Sequence, residues 1–163
     1  ARESRMYSAM TLGAIGGRLG PAERELAAKT LIALLDDADP GMVLVAIAGL
    51  QNLPSEATLP ALRGCLTSGV LEQRASAALS LATLKDAAGA EVLREMLELA
   101  PYEAERALDP HKWPTPRVTE SRCKALAALL ALGRAPSAED LRRLAAEDLD
   151  PNVRKLAAEA VAQ

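Results

Sequence analysis

The chain has 163 residues and a net charge of -3, with 50% apolar and 25% charged residues, only 2% aromatics and no Phe. That balance excludes a disordered polar chain, and the slight negative charge lacks the Lys and Arg clusters that phosphate backbones require, so no nucleic-acid partner is expected. The longest uncharged apolar runs, GMVLVAIAGL and ALAALLALG, reach about half of the roughly 20 residues that cross a bilayer, so no membrane insertion is expected.

Ala and Leu dominate, and both lose little side-chain entropy in a helix. In chain order the pattern predicts helices over 2–16, 22–36, 41–53, 56–67, 71–84, 88–99, 116–132, 138–147 and 151–162, alternating between a first and a second type. Asp39-Pro40 and Asp150-Pro151 offer a capping side chain followed by a proline at the first helical position, Thr115-Pro116 repeats the arrangement, and Ser137 with Asp140 forms a capping box. Gly16, Gly69 and Gly133 stand where helices should stop. The length suits one domain over 1–163. Because the opening ARESRM has no initiator Met or signal peptide, and both ends fall on second-type helices, the chain reads as a fragment. Further repeats or another chain are expected to cover those ends.

Self-similarity is the strongest signal. Leu31/Leu35, Leu62/Leu66 and Leu93/Leu97 are i, i+4 pairs, each set 31 residues after the last. A second column aligns Arg5, Val43, Arg74, Arg122 and Arg154. It is followed three residues on by Ser8, Ala46, Ala77, Ala125 and Ala157, and seven on by Leu12, Leu50, Leu81, Leu129 and Val161. Small residues beside a large apolar one on a single stripe let helices approach closely.

The segments EATLPALRGCLTSGVLEQRASAALSLATL and LAAEDLDPNVRKLAAEAVA resemble HEAT repeats, especially the short bacterial variety of about 30 residues. The resemblance implies an all-α, right-handed α-solenoid of antiparallel helix pairs: about four repeats plus an unpaired N-terminal helix, with the second helices lining a concave side. It also implies that Arg5, Arg74, Arg122 and Arg154 reach Asp-containing turns, for which Asp37 and Asp148 are the matching positions. The same arginines could instead grip an acidic partner from the groove. Val43 in place of Arg, and residues 98–117, depart from the pattern.

No enzyme is expected, and no catalytic, cofactor-binding or metal-binding residue is assigned. His111 is the only imidazole, no Ser or Cys stands at triad spacing, and Cys65 and Cys123 form no metal-ligand pattern. Two buried free thiols fit a reducing compartment, which makes a cytoplasmic location the expectation. Short HEAT-like repeats also occur in phycobilin lyases, so an accessory or lyase-like role toward a pigment-binding protein is the alternative. A DNA-repair relative would need a basic face with aromatics for stacking, which the helices lack.

From the second Leu to the column is eight residues in two repeats (Leu35 to Val43, Leu66 to Arg74) but 25 from Leu97 to Arg122, an insertion of seventeen. It occupies 101–117. Pro101 is expected to end the preceding helix and YEAERAL to form two helical turns. The insertion holds Tyr102, His111, Lys112 and Trp113, which either fold back on the helices or stand out as partner anchors. With Gln51, Glu72, Ser76, Thr83, Glu120 and Lys124 on the second helices, these are the candidate contacts of a scaffold for a protein or peptide partner.

Overall fold

Helix-forming segments bounded by Asp-Pro and Gly fold as expected from their composition. The computed structural model describes residues 2–162, and among them are ten α-helices and no strand: α1 (Arg2–Ile15), α2 (Pro21–Ala33), α3 (Pro40–Leu50), α4 (Thr58–Gly64), α5 (Leu71–Thr83), α6 (Ala90–Glu95), α7 (Ala100–Leu108), α8 (Thr115–Ala131), α9 (Ala138–Glu147) and α10 (Pro151–Val161). Short 3-10 turns follow α1, α2 and α4, tightening the last turn to satisfy terminal carbonyls. The chain divides into two units, Ala1–Gly89 and Ala90–Gln163.

In the first unit, α3 lies between α1 and α5, while α2 packs on α3 and α4 on α5. Its core runs through Ala28, Leu31, Met42, Ala46, Ile47, Leu50, Leu62, Ala77 and Leu81. The small-then-large stripe is buried in the middle helices, where Ala46, Leu50, Ala77 and Leu81 are fully covered. In α1 it shifts by one position: Ala9 and Gly13 are buried, while Ser8 and Thr11 are exposed. Gly13 and Gly49 set the spacing of α1 and α3, since a Cβ on Gly13 would lie 2.6 Å from the Gly49 Cα. In the second unit, α6 packs on α8, and α10 packs on both α8 and α9. Ala125, Leu129 and Ala157 occupy the same stripe fully buried, but Val161 is 43% exposed.

The caps divide into those that follow the sequence pattern and one that does not. Asp39 accepts from the Gly41 N–H (3.0 Å), Asp150 from the Asn152 N–H (2.8 Å), and Ser137 from the Asp140 N–H (3.0 Å). Thr115 does not cap α8. The helix starts one residue earlier than the pattern suggests, with Pro114 at the cap and Thr115 already helical. Pro101 likewise begins α7 rather than ending its predecessor, because α6 has already stopped at Glu95 and a proline costs no hydrogen bond in a first turn.

Two helix ends share one motif with different residues. After α8, the Gly133 N–H bonds Leu130 O (3.0 Å) and the Arg134 N–H bonds Leu129 O (2.9 Å), with Gly133 at φ 64°. After α5, Lys85 at φ 63° holds the glycine's place, with Lys85 N–H to Ala82 O (3.0 Å) and Asp86 N–H to Leu81 O (2.9 Å). The left-handed region strains a residue with a Cβ. Lys85→Gly is therefore expected to stabilise the first unit by about 0.5–1 kcal/mol, read as a raised melting temperature. An unchanged or lowered value would show that the Lys85 side chain makes a compensating contact.

Candidate interaction surface

The arginine column acts at the joints between repeats. Arg5, near the start of α1, pairs with Asp37 in the turn before α3, and Arg2, one helical turn earlier, pairs with Asp39 there. In the second unit the layout recurs: Arg122 on α8 pairs with Asp148 in the turn before α10, and Thr119, again three residues earlier, donates to Asp150. Arg122 also donates from Nε to the Leu97 carbonyl (2.8 Å) and from a terminal nitrogen to Asp148 (2.9 Å). Its side chain is 4% exposed and that of Asp148 7%, whereas Arg5 is 56% exposed. Arg74 and Arg154 bond the turns of their own repeats, at Ser68 O (2.9 Å) and Asp148 O (2.6 Å). Val43 instead joins the apolar core, 5% exposed.

These turns set the acid response. A bond from the Asp39 N–H, together with Arg5, holds the Asp37 carboxyl below the usual carboxylate range, and Arg2 does the same for Asp39. Burial pushes Asp148 and Asp150 up, but Arg122 and the Asp150 N–H more than offset it at Asp148, as Thr119 and the N–H groups of Asn152 and Val153 do at Asp150. Groups with a lowered folded pKa stabilise the fold above their unfolded value, about 3.9 for Asp. That contribution is lost as pH falls through the folded value. The urea midpoint is expected to hold from neutral pH down to the carboxylate range and to fall below about pH 4. A midpoint that declines steadily from pH 7 would mean that other groups govern it.

The insertion folds inward. Tyr102, on α7, is fully buried. Its hydroxyl donates to the Met96 carbonyl (2.9 Å) and meets the Ser121 hydroxyl on α8 (3.1 Å), and burial pushes the phenol pKa up. Trp113 is 5% exposed and meets the Tyr102 ring edge-on, with centroids 4.9 Å apart. The Arg117 guanidinium lies 4.6 Å from the Trp113 ring centroid, and Arg106 Nε donates to the Trp113 carbonyl (2.8 Å). Trp113 adopts φ 51°, a conformation that costs a bulky residue about 1–3 kcal/mol and persists only where the surroundings enforce it. The two aromatic residues expected as contact candidates are thus core residues: apolar rings with a buried slot available are withdrawn from water. His111 and Lys112 stay exposed, with Lys112 paired to Glu105 (3.1 Å).

Among the second-helix candidates, Glu120 and Lys124 are exposed on α8 and pair with each other, Glu72 and Gln51 are half-buried, and Thr83 is exposed. None of these lines an apolar hollow on the first unit. That hollow is a trough of about 290 Å³ between α1 and α3, lined by Met10, Gly13, Ala14, Val45, Ala48, Gly49 and Asn52. Met10 is 53% exposed and Tyr7, one turn away on α1, 71%. The signal for it was already in the sequence, since Pro40–Leu50 contains no charged residue and a helix apolar on every side needs cover. Among the described residues no group of His, Cys, Asp and Glu could hold a metal ion, and no helix is long and apolar enough to cross a membrane. Cys65 and Cys123 are free and partly buried, and burial pushes both thiols up.

Within each unit neighbouring helices bury the small-then-large stripe against one another, and together with the all-helical composition of the described residues this defines an all-α repeat protein of the α-solenoid class. Residues 28–108 match the family model described as HEAT repeats, and the chain belongs to the HEAT-repeat family. The match runs through α7, the first part of the segment that departs from the repeat pattern, and stops before α8. HEAT repeats are commonly protein-interaction scaffolds and typically non-catalytic. No curated protein matches the sequence.

Proposed function

We propose that the chain is a non-catalytic scaffold that binds a protein or peptide partner across the exposed faces of its second helices. One observation carries this reading: α1 and α3 expose an uncharged apolar trough flanked by Met10 and Tyr7. Met and Tyr are residue types that adapt to and anchor partners. Gln51 and Asn52 stand at the end of α3 next to the trough; Ser76 and Thr83 on α5, and in the second unit the exposed Glu120 and Lys124 on α8, are further candidate contacts. On the insertion, His111 and Lys112 remain as candidate contacts, while Tyr102 and Trp113 do not.

The test is affinity capture with the wild-type chain and with Tyr7→Glu/Met10→Glu, both sites being exposed enough to leave the fold intact, as a melting curve would check. Partners lost from the double variant but kept by Glu120→Ala/Lys124→Ala would place binding on α1 and α3. Equal recovery by wild type and Tyr7→Glu/Met10→Glu would sink the reading for this face. A bilin-like absorbance in the purified protein would instead favour the lyase-like accessory role.

A further inference from the structure

We draw no further inference here: the strongest candidate, the open acidic groove of the second unit between residues 94–99 and α9, lined by Leu99, Leu144, Glu98, Glu147 and Arg143, already sets a cation of the chain's own, Arg143, against Asp140 and in the field of Glu98 and Glu147, and nothing in the structure shows what else would cover it.

Discussion

Arg122→Leu is expected to cost about 3–5 kcal/mol of stability in the second unit, because it strands a carboxylate in a site where both side chains are almost wholly covered. Trp113, the only Trp, lies in that unit and reports its unfolding in urea. Arg122→Leu/Asp148→Leu should recover much of the loss, since the buried charge then has nothing to leave unpaired. In the single variant the Asp148 carboxyl is raised above its unfolded value. The protonated form is then favoured in the folded state, and the deficit should shrink on acidification and grow as pH rises toward neutrality. A double variant no more stable than the single one would mean that the Leu97 carbonyl bond, not the ion pair, is what Arg122 provides.

Tyr102→Ala and Trp113→Ala should each cost about 3–5 kcal/mol, the usual range for emptying a large buried site. Tyr102→Phe isolates the polar part at about 1–3 kcal/mol, because it leaves the buried Met96 carbonyl without its donor. Native Trp113 emission should be blue-shifted and protected from acrylamide, with Tyr102→Ala shifting it to the red. Wild-type emission that is already red and easily quenched would contradict the inward-facing insertion. It follows that deleting 101–116 does not simply remove a loop. It takes both rings out of the second unit, and any binding lost with it would reflect unfolding.

The helices were legible because their signals are local. Leucine pairs, alanine columns and Asp-Pro starts each depend on a few neighbouring residues, and α2, α3, α5, α9 and α10 lie within a few residues of their expected spans. The direction of Trp113 was not legible. Whether an aromatic ring in a proline-rich segment turns in or out depends on what it packs against, here the Tyr102 ring and the Arg117 guanidinium, and Tyr102 is itself held by Met96 and Ser121, whose positions follow from the tertiary fold. The Val43 anomaly could have been read. Counting back six from Val43, Arg74 and Arg154 gives Asp37, Ser68 and Asp148, and the column residue of the preceding repeat is Arg5, Val43 and Arg122 in turn; at Arg122 the insertion breaks the count. An arginine stands where the next turn offers a carboxylate, and a valine where it offers a hydroxyl.

That difference has a mechanical consequence. The joints from α1 to the turn of α3, and from α8 to the turn of α10, are fastened by carboxylates. At the corresponding position of α3, Val43 is set in apolar contacts. Acid loosens the first kind and leaves the second untouched, and salt acts on the exposed Arg5 pair far more than on the covered Arg122 pair. Compliance along the chain is therefore graded joint by joint: one hinge stiffens or softens with the ionic medium, one yields chiefly to protons, and one responds to neither.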